Sequence, residues 1–158
     1  MKLIKLVFVS SIMWFGLTTL NAQEITPVVT TLAGSGSAGS ANGTGTAASF
    51  NYPWGVAVDG SGNVYVGDEA NHKIRKITSG GVVTTLAGSG SAGSANGTGT
   101  AASFNIPSDV AVDGSGNVYV ADYNNHLIRK ITSTGVVTTL AGSGSSGSTN
   151  GTGTAASF

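Results

Sequence analysis

The chain contains no cysteine, and only 9% of its 158 residues are charged. Without cysteine it can form neither disulfide bonds nor thiolate metal sites, and it has no thiol nucleophile. Its formal net charge is zero. Because no basic excess is available to neutralise phosphates, we expect no nucleic-acid partner. Glycine, by contrast, is abundant, with 25 residues, and the length is that of one domain.

The first 22 residues have the pattern of an export signal. Lys2 and Lys5 form a short positive region, residues 6–20 are an uncharged and mostly apolar run, and Ala22 is a small residue at the expected cleavage position. The run is shorter than the roughly 20 residues of a membrane-spanning helix, although a retained membrane anchor is the alternative. We predict cleavage after Ala22, no membrane association afterwards, and a mature chain that is secreted, periplasmic or on the cell surface.

A repeat of 54 residues organises the rest of the chain. The unit spanning residues 28–81 recurs over residues 82–135 with 46 of its 54 positions unchanged, and a partial third copy covers residues 136–158. Repeats of this length indicate supersecondary units that bury their faces against one another. We therefore divide the chain into a signal peptide, residues 1–22, and a repeat region, residues 23–158.

Each unit contains four short runs that predict β-strands. In the first unit they span residues 55–59, 63–67, 72–78 and 82–87. The first two are joined by an Asp-Gly turn and predict a hairpin, and no run has the apolar period of about 3.6 residues that would indicate a helix. Small or apolar residues on both faces suit a sheet packed between two others. Four antiparallel strands repeated in this way predict the blades of a β-propeller, an all-β fold.

The same residues carry a resemblance to a known family. The run NVYVxDxxNHxIRKI, preceded by Pro-x-x-VAVDGSG, resembles the NHL repeat, which is named for its Asn-His-Leu signature. Residues 71–73 hold the signature position in the first unit, and residues 125–127 match it letter for letter in the second. The resemblance covers residues 28–158. It implies a propeller, usually six-bladed, that an outer strand from the opposite terminus closes.

Two full blades do not close a six-bladed ring. Residues 28–33 are predicted to supply an additional outer strand, two blades follow, and the last residues supply a further outer strand and half a loop. An open stack would leave apolar faces and strand edges uncovered. Three explanations stay open: a fragment of a longer propeller, which we favour, a homotrimer that closes one ring, or a chain that does not fold as written.

Several motifs that suggest chemistry have structural explanations. The glycine pattern of residues 34–39 fits a dinucleotide fingerprint in letters but precedes no helix, and residues 59–63 resemble the start of a calcium loop without its later ligands. His72 and His126 invite a zinc-ligand interpretation, because propeller lyases related to this family use histidines. Each stands alone at a repeated position, so a hydrogen bond across its own turn is the favoured role. We assign no catalytic, cofactor or metal residue.

Two further repeated pairs are interpreted as structural. Asp68 and Asp122 are expected to bond turn amides. Arg75 with Lys76, and Arg129 with Lys130, are expected to form solvated faces or to pair with these carboxylates.

The eight positions that differ between the two units give the main sequence signal for a site. Seven of them lie at the start of the first strand or at the turn between the second and third strands, which share one end of an up-and-down blade. Binding residues are often placed on loops of a rigid scaffold, although neutral variation at turns explains the same differences. The predicted recognition surface on this loop-bearing face consists of Tyr52, Trp54, Glu69, Lys73, Asp109, Tyr123 and Leu127.

The function predicted from the sequence is that of an exported binding module. It would engage a protein or a surface glycan through the loop-bearing face, without a cofactor, and we do not predict an enzyme. Two other classes stay open. A propeller lyase or lactone hydrolase would need His, Asp, Glu or Arg residues from different blades, and a ligand-free structural array would follow from recent duplication.

Overall fold

The computed structural model describes residues 27–158, so the predicted signal peptide lies outside the described residues. The chain forms two antiparallel five-stranded sheets. The first contains β1 (Gly43–Thr44), β2 (Pro53–Val58), β3 (Val64–Asp68), β4 (Lys73–Ile77) and β5 (Val82–Ala87) in the order β1-β5-β4-β3-β2. The second contains β6 (Gly97–Thr98), β7 (Pro107–Val112), β8 (Val118–Asp122), β9 (Leu127–Ile131) and β10 (Val136–Ala141) in the order β6-β10-β9-β8-β7.

Short 3-10 helices punctuate these strands. They are Gly45–Ala47, Glu69–Asn71, Gly99–Ala101, Tyr123–Asn125 and Gly153–Ala155. Within residues 27–158 no helix is long and apolar enough to cross a membrane.

The four predicted strands of each unit are confirmed, and each sheet is one blade. The boundaries shift by one or two residues, and a two-residue strand from the glycine-rich loop adds a fifth member, with Gly43 opposite Val83. The additional outer strand predicted at residues 28–33 is wrong. Val29 is 98% exposed there, and the segment has no strand beside it in the described region. Its identical copies β5 and β10 form strands because β4 and β9 supply their hydrogen-bonding partners.

The β2–β3 hairpin closes on one aspartate. Asp59 Oδ1 accepts hydrogen bonds from the backbone N–H groups of Ser61 and Asn63, both at 2.9 Å, and Asp59 Oδ2 accepts from Asn63 Nδ2 at 2.8 Å. The Asn63 side chain is the main reason that the pKa of Asp59 falls to about 2. Tyr65 donates to the same carboxylate, and burial, followed by this bond, raises the pKa of Tyr65. This turn accounts for the residues that resemble a calcium loop, and Asp113 repeats it.

Each blade holds its glycine-rich loop with a buried ion pair. Arg75 Nη1 lies 2.7 Å from Asp68 Oδ2, and both side chains are fully buried. The guanidinium also donates to the carbonyls of Ala41 and Ser49 and to Asn42 Oδ1, at 2.8 to 3.2 Å. The predicted pairing is confirmed, whereas the predicted solvated face is wrong. A loop with few strand contacts leaves carbonyl groups unbonded, and the five N–H donors of a guanidinium can satisfy several of them at once.

The carboxylate of the pair has two further donors. Asp68 Oδ1 accepts from the backbone N–H of Asn51 at 2.8 Å, as expected for a turn amide, and Asp68 Oδ2 accepts from Asn71 Nδ2 at 2.9 Å. The Arg75 guanidinium lies 5.2 Å from the centre of the Phe50 ring. The second blade repeats the pair, with Arg129 Nη1 2.9 Å from Asp122 Oδ2.

The two blades pack face to face on one apolar core. Its buried members are Tyr65, Ile74, Ala87, Ala102, Phe104, Val110, Val118, Val120, Ile131 and Val137. Val110 in this contact is 6% exposed, whereas its counterpart Val56 in the first blade is 63% exposed. Tyr65 is buried, whereas its counterpart Tyr119 is only half-buried. Each blade therefore has one covered and one open face, and the described chain is an incomplete ring.

Two glycines in the first blade permit this close contact. A Cβ atom at Gly67 would lie 2.6 Å from the carbonyl oxygen of Pro107, and one at Gly55 would lie 2.5 Å from the Cα of Asp109. Contacts this short to backbone atoms require the neighbour to move. In the second blade, Ala121 stands at the position of Gly67 and Asp109 at the position of Gly55.

Candidate functional site

A cleft opens on the loop-bearing face where the two blades meet. Its volume is about 400 Å³, and we call it the junction cleft. Tyr52 and Ile106, which precede Pro53 and Pro107 at the starts of β2 and β7, contribute to its walls. The remaining lining comes from the Glu69–Asn71 helix and its C-terminal cap, namely Glu69, Ala70 and His72. Pockets of this size admit small ligands.

Three of the lining residues have left-handed backbone conformations. The φ angles are 53° at Tyr52, 53° at His72 and 58° at Ile106. Such angles are unfavourable for residues other than glycine, and a β-branched residue such as Ile106 is a clear outlier. Hydrogen bonds hold the strained positions: Glu69 N–H donates to Tyr52 O at 3.2 Å, and Ala70 N–H donates to Asn51 O at 3.1 Å. His126 has a φ angle of 52° in the second repeat, and Tyr52 and Ile106 are counterparts, so these conformations belong to the repeat.

His72 connects the two blades. Its Nδ1 accepts a hydrogen bond from the backbone N–H of Ile106 at 3.2 Å. The predicted bond across its own turn is therefore wrong, because the partner belongs to the next blade, 34 residues away. A neutral imidazole that accepts at Nδ1 carries its proton on Nε2. The ring therefore keeps one N–H donor beside the cleft.

The junction cleft carries one formal negative charge. Glu69 supplies a carboxylate, whereas Tyr52, Ala70, Ile106 and the neutral His72 imidazole carry none. The cleft can therefore accept hydrogen bonds at Glu69, donate one from His72 and contact an apolar surface at the tyrosine and isoleucine side chains.

The structure brings only part of the predicted recognition surface together. Tyr52 and Glu69 line the cleft. Trp54 and Tyr123 are 72% and 65% exposed but lie outside the lining. Lys73 is also outside it, with its Cε close to Gly90 of the following loop.

The other two predicted residues have structural surroundings. Asp109 lies against Gly55 where β7 contacts β2. Its carboxylate accepts a hydrogen bond from the backbone N–H of Val110. Leu127 is 9% exposed and packs near Gly142, and it lines a separate cavity of about 260 Å³ together with Tyr123. Leu127 begins β9, and the glycine-rich loop that starts at Gly142 lies against its side chain.

Three lining residues were missed by the sequence-based prediction: Ala70, His72 and Ile106. Ala70 and Ile106 stand at positions that differ between the units, so this signal was available in the sequence. His72 is invariant between the units, and its contact with the next blade becomes visible only in the structure.

No metal-binding cluster is evident in residues 27–158, where no three His, Cys, Asp or Glu side chains group closely enough to hold an ion. His72 and His126 occupy equivalent turns in separate blades.

Comparison with known proteins identifies the blades. The NHL repeat model matches residues 50–77 and 104–131, one segment in each blade, and the predicted resemblance is confirmed for these segments. The fold is that of β-propeller blades, as in the solved structures it resembles.

Two curated relatives and one solved structure illustrate the similarity. The chain is 38% identical over 96 residues to Protein SUPPRESSOR OF QUENCHING 1, chloroplastic, of Arabidopsis thaliana, with 59% of this chain and 9% of that protein covered. It is 38% identical over 98 residues to NHL repeat-containing protein 2 of Gallus gallus, with 61% and 13% covered. An auxiliary nutrient binding protein from Bacteroides thetaiotaomicron has a TM-score of 0.57 at 27% identity, with 68% of this chain and 28% of that chain covered. The chain thus spans about a tenth of the length of these curated relatives.

Proposed function

We propose that the chain is an exported NHL-repeat binding module that engages a protein or a surface glycan through its loop-bearing face. The observation that carries the proposal is that Tyr52, Trp54 and Tyr123, three aromatic residues of that face, all stand at positions that differ between the two repeats. Aromatic residues contribute strongly to binding because they combine a large contact area with few rotatable bonds. The residue pattern of the first 22 positions supports export.

The scaffold beneath these side chains is suited to binding. Tyr123 begins the Tyr123–Asn125 helix, and the Asn125 side chain donates to Asp122 Oδ2 at 2.8 Å and to the carbonyl of Gly93 at 2.8 Å. The turn is therefore fixed to both the buried ion pair and the glycine-rich loop. A fixed turn loses little conformational entropy when a partner binds. The similarity to a nutrient binding protein is consistent with this class of function.

An array of glycans and bacterial surface proteins tests the proposal. The mature chain, residues 23–158, is applied beside a variant with Tyr52→Ala, Trp54→Ala and Tyr123→Ala. We expect saturable binding of the mature chain to a defined subset of spots, and a loss of about tenfold or more in the variant, because hot-spot aromatic residues contribute at least that much. Equal binding by the two proteins, or no binding by either, would contradict the proposal.

A further inference from the structure

The differences between the two repeats concentrate on the junction cleft. Tyr52 and Ile106 are counterparts in the two repeats, so the five lining residues represent four repeat positions. Three of these four, those of Tyr52, Glu69 and Ala70, are among the eight of 54 that differ. The fourth, that of His72, is identical in both units. The cleft therefore has one polar residue that is the same in both repeats, and the residues around it differ between the repeats.

The chemical groups of the lining match a neutral polyhydroxylated ring. The Tyr52 side chain, 72% exposed, offers an apolar aromatic face on which the C–H surface of a pyranose can stack. Glu69 accepts hydrogen bonds, and the Nε2–H of His72 donates one. A sugar hydroxyl both donates and accepts, so adjacent hydroxyls can use both groups at once. Ile106 provides an apolar surface for the remaining ring edge.

The charge of the lining argues against anionic ligands. Glu69 is its one charged residue, and Lys73 lies outside it, beside Gly90. A phosphate, sulfate or carboxylate would meet a like charge with no lining cation to offset it.

We propose that the junction cleft is a binding site for a neutral sugar, with Tyr52 as the stacking platform and Glu69 and His72 as the hydrogen-bonding groups. The inference rests on the proposed function and narrows it to a glycan held between two consecutive blades. The His72 ring is set before the ligand arrives, because the Ile106 N–H fixes it, and the backbone that carries Glu69 is held by its bond to Tyr52 O. A preformed site of this kind reduces the entropic cost of binding.

The test is an amide chemical-shift titration of the ¹⁵N-labelled mature chain, residues 23–158. The probes are maltose, cellobiose, lactose and N,N′-diacetylchitobiose, with butylammonium chloride as a cationic comparison. We expect at least one disaccharide to produce saturable shifts at the amides of Glu69, Ala70 and Ile106. Tyr52→Ala and Glu69→Gln should each weaken that binding by about tenfold, since each removes a principal contact.

A matched variant serves as the control. Asn124→Ala gives the second blade the alanine that the first blade has at this position, and Asn124 is exposed and does not line the cleft. It should leave the disaccharide affinity within about twofold of the parent. All variants change side chains that are exposed or half-buried, and an unchanged amide spectrum away from the substitution verifies the fold.

Three outcomes overturn the inference. They are saturable shifts by butylammonium alone, no shift at the cleft amides with any disaccharide, and unchanged disaccharide affinity in both Tyr52→Ala and Glu69→Gln. The array experiment separates this failure from failure of the proposed function. A glycan or protein that binds the array, loses affinity with Tyr123→Ala and ignores Glu69→Gln would remove the cleft proposal and leave the loop-bearing face as the binding surface.

Discussion

Replacing Asp122 with leucine is expected to lower the free energy of unfolding by about 3–5 kcal/mol, because it leaves a buried guanidinium without its counter-ion. Asp122 is fully buried and accepts hydrogen bonds from Arg129 Nη1 at 2.9 Å, Asn125 Nδ2 at 2.8 Å and the backbone N–H of Asn105 at 2.8 Å. All three bonds are lost in the variant. The measurement is urea unfolding of residues 23–158, monitored by circular dichroism.

A double variant separates the unpaired charge from the other losses. Asp122→Leu combined with Arg129→Met removes both ions, and we expect it to unfold at a higher urea concentration than Asp122→Leu alone. It should still be less stable than the parent, because Arg129 also donates to the carbonyls of Ala95 and Ser103. Lys130→Met, at the adjacent and half-buried position, is the control and should change stability by less than about 0.5 kcal/mol. Equal effects of Asp122→Leu and Lys130→Met would show that the pair is not buried as described.

Three substitutions each give the first blade the residue that the second blade has. We expect two of them to lower the free energy of unfolding and the third to leave it unchanged. Gly67→Ala places a Cβ 2.6 Å from Pro107 O, and Gly55→Asp places one 2.5 Å from Asp109 Cα. Because the obstructing atoms belong to the backbone, we expect each variant to lose about 1–3 kcal/mol, with Gly55→Asp the larger. The measurement is again urea unfolding.

The third exchange is the matched control. Gly80→Thr also copies the second repeat, but a Cβ there has its nearest neighbour at 3.9 Å. We expect a change within about 0.5 kcal/mol. If Gly67→Ala and Gly55→Asp are as stable as Gly80→Thr, the two blades are not packed as closely as the structure has them.

The same glycines bear on closure of the ring by three copies. We infer that a second copy cannot seat its first blade on the second blade of this chain at the spacing found within the chain, because Asp109 and Ala121 occupy the glycine positions. Residues 142–158 also take the loop position that residues 34–50 of the second copy would need, since Gly142 bonds Gly153 as Gly34 bonds Gly45. Both features oppose a homotrimer that repeats the blade spacing found within this chain.

Much of the blade could be predicted from the sequence because its signals are local. The Asp-Gly turn and the alternation around it predict the β2–β3 hairpin, and the structure closes that hairpin through Asp59. Strand β5 was predicted with its correct bounds, residues 82–87. The outer strand predicted at residues 28–33 failed although its sequence is identical to that of β5, because a strand requires a hydrogen-bonding neighbour that local sequence does not supply.

The site depended on contacts between blades, which the sequence does not display. The differences between the repeats were enough to predict that Tyr52 is exposed and that it lies on one face with Glu69. They were not enough to predict the role of His72, because its partner is the backbone N–H of Ile106, a group that every non-proline residue has. The low exposure of Leu127 is also invisible in the sequence, because its position there is a turn position and the glycine-rich loop that packs near it comes later in the chain.

The account rests on the two repeats packing as consecutive blades, which creates the junction cleft, and the most direct test is the state of the His72 ring. Long-range ¹H–¹⁵N correlation spectra of the mature chain report which ring nitrogen carries the proton and whether Nδ1 is hydrogen-bonded. We predict an Nε2–H tautomer for His72, a coupling from the Ile106 N–H to Nδ1, and slow exchange of that amide hydrogen. An Nδ1–H tautomer with a freely exchanging Ile106 amide would contradict the packing of the blades and the cleft built on it.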